Sequence, residues 1–291
     1  MIFDVWTILN PILRTFIYFS VLTTIGTILF SLHFSNFFDN IVKVYCQNLI
    51  KKFSIFGLFI GLLVFLSVAG NLGGDFQSVI DISLIMLSFE TLSGKSAILL
   101  TTGFTLIIFS ILDYKFFPVL FKTLGILSIL FSFVIIGHST LKGISTQTLL
   151  ILHIICISFW LGSFLPLRYM CINKNFRNLI VISEKFGFYA IFYVAILVIV
   201  GLVFSYILVG NIDGLFSTIY GNILLLKFIL VSILLSIGAL NKLRLVPYLK
   251  IDYQVGKYKL KKSIEIEGII SLIILLLTSI LTTSLPTPMG V

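Results

Sequence analysis

The chain has 291 residues, 59% of them hydrophobic and 11% charged, with a net charge of +9. A soluble domain carries about 25% charged residues, so this composition excludes one and points to an integral membrane protein. Cys46, Cys156 and Cys171 are odd in number and irregular in spacing, which excludes a disulfide framework. The positive charge gathers in alternate loops, which is the signature of membrane topology rather than of nucleic-acid binding. At roughly 20 residues per span, about eight helices with short loops use up the chain. The expected fold is therefore all-α, a polytopic membrane helix bundle forming a single domain over 1–291.

The first apolar run is preceded by Asp4 rather than by a basic region, and no small-residue cleavage site follows. It reads as a retained span, 11–32, and not as a signal peptide. His33 stands at its inner end, either as a solvated helix-end histidine or as a metal ligand on the cytoplasmic side. Span 2 is predicted at 53–70. Asn71-Leu72-Gly73-Gly74 then breaks the chain. Residues 75–92 mix apolar side chains with Asp75, Asp81 and Glu90, which predicts an amphipathic outer segment lying in the interface or on the bundle. Met86 in this segment is either plain packing or a soft ligand at the outer mouth. Spans 3 and 4 are predicted at 95–112 and 117–137, with Gly137-His138 at the outer end.

Span 5, 146–167, carries His153, Cys156 and Trp160, which share one helix face by their i, i+3 and i+7 spacing. His153 lies about 10 Å deep at 1.5 Å per residue. Polar, metal-competent groups at such depth are costly and mark candidate functional sites. Imidazole nitrogen with a soft sulfur suits a copper ion, Cu(I) especially. The alternative is a satisfied interhelical hydrogen bond beside a small buried cysteine. Met170 and Cys171 at the inner end of the span point apart and read as incidental. Spans 6, 7 and 8 are predicted at 182–209, 220–241 and 263–284. Lys227 of span 7 reaches a depth near that of His153, where its charge would oppose a bound metal unless an anion intervenes. Glu267 of span 8 is expected to pair with Arg244 or Lys242 in preference to relaying a proton or metal. The 242–262 segment is predicted as a basic loop meeting anionic lipid headgroups.

Lys43, Lys51, Lys52, Lys115, Arg168, Lys174, Arg177, Lys185 and the basic run from Lys242 to Lys262 follow the odd-numbered spans, whereas the opposite loops hold Lys95 and Lys142. That asymmetry places the first set in the cytoplasm and both termini outward. His138 and His153 then line one outward-facing vestibule. His33 is expected some two-thirds of a bilayer away from His153, too far for one coordination sphere. Glycines 70–74 lack the strand-turn-helix setting of a nucleotide-binding loop.

Several short motifs recur in one order along the chain. They are Leu13-Arg14 with Gly26 and Phe30, Gly137-His138, His153 with Trp160-Leu161-Gly162, Leu226-Lys227, Asn241-Lys242-Leu243-Arg244-Leu245-Val246-Pro247, Ser263-x-x-x-Glu267, and Leu285-Pro286-Thr287-Pro288. Together they resemble the CopD/PcoD family of bacterial copper resistance proteins. The resemblance implies an eight-span protein of the bacterial inner membrane that handles copper ions in uptake or tolerance. It also implies a periplasmic copper-binding partner of the CopC type, separate or fused. His138 and His153 carry over as the family's histidines. Trp160, Lys227, Asn241, Arg244 and Glu267 carry over as structural or pathway positions. Cys156 matches no family position, and its metal role rests on helix spacing alone. No catalytic constellation is read, so a transporter is expected rather than an enzyme. Two rival readings stand beside it: a b-type haem or quinone-linked redox protein using histidines as axial ligands, and an accessory structural subunit without a ligand.

Overall fold

A computed structural model describes residues 5–112, 117–136, 143–173, 176, 178–209 and 213–285. Every regular element among them is helical: α1 Val5–Phe34, α2 Asn40–Gly73, α3 Ile82–Glu90, α4 Leu92–Ile111, α5 Pro118–Val134, α6 Ile144–Gly162, α7 Phe164–Ile172, α8 Leu179–Val209, α9 Asp213–Ser217, α10 Ile219–Leu240, α11 Val246–Ile251 and α12 Tyr253–Thr283. Helices satisfy their own backbone groups, which is what a chain this apolar needs in lipid. Among the described residues, seven helices are long and apolar enough to cross a membrane, and α5, at 17 residues, is a shorter apolar helix. It lies at the lower limit for a span. Each predicted span thus falls on a helix, and the chain is a multi-pass membrane bundle.

Two predicted loops are helical instead. Much of the segment between spans 1 and 2 belongs to α2, which begins at Asn40 because the Asp39 carboxylate accepts the Val42 N–H at 2.7 Å. A capping aspartate supplies the partner that the first turn lacks. The 242–262 segment continues α10 through a π-helical stretch, Asn241–Leu245, into α11. It breaks only at Asp252, which caps α12 through the Val255 N–H. Hydropathy records where lipid begins and is blind to a helix that continues past it. Predicted span 5 divides at Ser163 into α6 and α7.

The outer segment consists of a 3-10 turn, Gln77–Ile80, and α3. Its apolar residues face outward: Ile82 is 75% and Met86 66% exposed, whereas Ser88 is fully buried. Asp81 caps α3, accepting from the Ser83 hydroxyl at 2.6 Å and from the backbone of Ser83 and Leu84. Those hydrogen bonds hold its carboxyl below the ordinary carboxylate range. A depressed folded-state pKa gives stability that is present above the unfolded pKa and lost as pH falls through the folded one. Amide exchange across residues 82–90 is therefore expected to quicken below about pH 4. The Asp81→Asn variant should flatten that profile, and an equal acid response in both proteins would refute the cap.

The centre of the bundle is α1, 61% buried over its apolar window, against 11% for α8 and α10. Its first half packs with α2, α4, α5 and α6 around Ile17, Val21, Phe104 and Ile129. Its last residues pack with α2, α6, α7, α8 and α12 around Phe30, Phe34, Phe159 and Leu179. The two cores meet where α1 crosses α6 at Gly26 and Gly162. A methyl group added to Gly26 would lie 2.6 Å from the Gly162 Cα, and one added to Gly162 would press into the Leu22 carbonyl oxygen. Only glycine lets backbones approach this closely, a common device of membrane helices.

Candidate functional site

His153, Cys156, Phe159 and Trp160 project from α6 at spacings that sum to one broad face. That face meets α8. The His153 imidazole lies against Gly201, with Cε1 3.8 Å from the position of an added methyl, and edge-on to Phe204 at 6.5 Å between centroids. One turn further in, Cys156 is 3% exposed and Trp160 5%. Phe159 stacks on Tyr193 of α8 at 4.0 Å. The Tyr193 hydroxyl lies 3.5 Å from His33 Nε2, and the His33 ring stands 5.1 Å from Phe159 and 4.9 Å from Tyr189. His33 Nδ1 bonds its own helix at the Leu29 carbonyl, 2.8 Å away.

A seam bounded by α1, α6 and α8 therefore runs from His153 past Cys156 and the Phe159–Tyr193 stack to His33. Phe159 is six residues beyond His153, a rise of about 9 Å. His33 meets the seam at the Phe159–Tyr193 stack. The two histidines still occupy different settings and do not face one another, as bis-imidazole haem ligation would require. His33 is also half-buried in an aromatic cage, not a solvated helix end. Tyr189, Tyr193 and Phe159 are functional candidates that the sequence did not single out. The i, i+4 spacing of the two tyrosines was the available signal.

The Nδ1 atom of His153 is buried and has no hydrogen-bond partner among the described residues. Buried polar atoms are almost always paired, and an exception asks for an explanation. Thr24 and Thr27 of α1 and Ser158 of α6 also bury hydroxyls without a partner there. Lys227 of α10 stands close enough for its charge to act on His153, which agrees with the similar depths expected. Among the described residues it forms no ion pair.

Glu267 is 3% exposed, and its partner is Asn241, whose Nδ2 donates to Oε2 at 2.9 Å. The expected pairing with Arg244 or Lys242 does not form. Arg244 is exposed, and the Lys242 stem lies against Gly187 of α8. The π-helical stretch beginning at Asn241 changes the register of these side chains relative to an α-helix. Met86, on the outward face of α3, is not brought to the seam. His138 lies outside the described residues. Cys46, Cys156 and Cys171 are all free and buried, and they share one core cluster with Met170. Among the described residues, no group of three or more His, Cys, Asp or Glu side chains could hold a metal ion together.

Comparison with known proteins agrees with this architecture. Residues 180–281, which are α8 through most of α12, match the family described as Copper resistance protein D, CopD. The Copper transport protein CutJ of Bacillus subtilis is 24% identical over 295 aligned positions, covering 94% of this chain and 52% of that protein. The Inner membrane protein YebZ of Escherichia coli is 27% identical over 157 residues, covering 52% of this chain and 54% of that protein. The chain thus spans about half the length of the curated relatives it matches. No solved structure matches. The matched region and both relatives point one way: residues 180–281 resemble the CopD family of copper resistance proteins, and the chain is distantly similar to CutJ and YebZ.

Proposed function

We propose that this chain is an inner-membrane copper transporter contributing to copper uptake or tolerance, with one membrane domain over 1–291. Copper enters at an outward-facing site that includes His153 and His138, passes Cys156, and leaves past the aromatic cage of His33. The observation that carries this reading is the Nδ1 of His153, without a hydrogen-bond partner among the described residues, at the head of the α6–α8 seam. An imidazole nitrogen and a thiol sulfur one turn apart suit Cu(I). Lys227 sets a condition. A cation beside His153 is tolerated when an anionic ligand accompanies the metal, either the Cys156 thiolate or a small anion. Met86 would serve only as a soft contact at the outer surface, before the seam.

The copper named for CutJ belongs to that protein, and its extension to this chain is part of the proposal. A CopC-type periplasmic protein is the partner that would deliver copper to the outer mouth. The chain's role is transport and not catalysis. Measuring cellular copper with the wild type and with His153→Ala tests the reading. Equal copper content, with equal binding to the purified proteins, would end it for that residue. The orientation follows from the lysine and arginine asymmetry. A reporter joined after Val291 should behave as periplasmic, and cytoplasmic activity would reverse the topology.

A further inference from the structure

Glu267 is a buried carboxyl that the copper seam does not use. Its Oε2 accepts from Asn241 Nδ2 at 2.9 Å, and the Asn241 Oδ1 accepts from the Ser263 hydroxyl at 2.6 Å. The hydroxyl thus orients the amide with its N–H toward the carboxyl. The other oxygen, Oε1, has no hydrogen bond among the described residues and faces the bare Cα of Gly238. That oxygen and Trp160 Cζ2 each lie 3.5 Å from the place a methyl group on Gly238 would take. Trp160 is the same residue that walls the inner part of the α6 face.

Among the described residues, no cation comes to this carboxyl from any element packed on α12. On α12 itself, Lys261 reaches Glu265, and so does Arg168 of α7, at 3.9 and 2.7 Å. Cys171 of α7 stands near Lys257 and Lys261 rather than Glu267. Lys250 of α11 pairs with Glu184 at 2.5 Å, and Tyr248 lies under Lys259. From the α10 side, Lys242 packs on Gly187, Arg244 is exposed, and Lys227 is eleven residues from Gly238, about 16 Å along the helix. From α1, Arg14 lies over Tyr18 and Phe133, and His33 is held by Leu29 and Tyr193. Cys156 of α6 acts on Tyr193. Among the described residues, Glu267 forms no ion pair.

We propose that Glu267 is a proton-binding site inside the membrane, with Asn241 as its positioning residue, and that it exchanges its proton as a cation passes Trp160. An isolated carboxylate in an apolar bundle needs a counter-charge, whereas a carboxylic acid does not. The Asn241 N–H can donate to either form, so the hydrogen bond survives while Oε1 gains or loses the proton. A carboxyl that releases one proton to water as one monovalent cation arrives keeps the buried charge constant. The use of this proton in transport rests on the copper reading, but the proton site does not.

Two measurements separate the claims. Infrared titration of the purified full chain should show a carboxylic-acid C=O band that disappears with rising pH and is absent from Glu267→Gln. Asn241→Ala should shift that band. Absence of the band from the wild type, or its persistence in Glu267→Gln, overturns the proton site whatever copper does. The second measurement adds Cu(I), kept reduced with ascorbate, to the weakly buffered protein. One more proton per bound copper should be released by the wild type than by Glu267→Gln, with unchanged copper stoichiometry. Equal release refutes the coupling. A wild type that binds no copper refutes both the copper reading and the coupling, and leaves the proton site to the infrared result.

Discussion

The His153→Ala variant is expected to bind copper on the order of 100-fold more weakly than the wild type, since even the outer partners of metal ligands are worth about 10–100-fold. His153→Leu should lose copper in the same way while keeping or raising thermal stability. The physical reason is the Nδ1 atom, which has no partner among the described residues. A buried polar atom without a hydrogen bond carries a desolvation penalty of about 1–3 kcal/mol, which an apolar side chain of similar volume removes. A residue retained for packing would behave in the opposite way, with its replacement lowering the melting temperature and leaving copper binding intact. Thermal unfolding in detergent, read beside copper titration, distinguishes the two. Destabilised variants with unchanged copper affinity would show His153 to be structural.

Gly162→Leu is expected to lose about 3 kcal/mol or more of stability, and Gly162→Ala about 1–3 kcal/mol. The added methyl meets the Leu22 carbonyl oxygen and the Gly26 Cα, which are backbone atoms, so rotamer changes cannot relieve the clash. The helices must part, and the consequence goes beyond stability. This crossing holds α1 against α6, and with it His33 against Phe159. Copper passage should therefore fall in Gly162→Ala even though no proposed ligand is altered. A melting temperature unchanged in Gly162→Ala would show that the two backbones do not meet at this point.

Much of the seam is legible in the order of the amino acids. The i, i+3, i+7 pattern puts His153, Cys156 and Trp160 on one face, and α6 presents them so. That Lys227 stands near His153 follows from rise per residue. His33 is less legible. Counting residues gives its depth from the end of a span, whereas its surroundings are set by the angle at which α1 crosses α6. For Glu267, chain position favours Arg244 or Lys242, the nearest cations at the inner end of span 7. The π-helical register brings Asn241 to it instead.

By itself, the sequence determined the membrane class, the order of the apolar helices and which residues share each helix face. Those properties depend on local composition and on a period of about 3.6 residues. Only the tertiary structure decided what each face meets. It set Tyr193 beside His33, left the His153 nitrogen without a partner among the described residues, and brought Trp160 and Glu267 both against Gly238. Such pairings depend on crossing angles and close backbone approaches between helices far apart in the chain. The glycines that permit those approaches look alike in sequence until two of them meet.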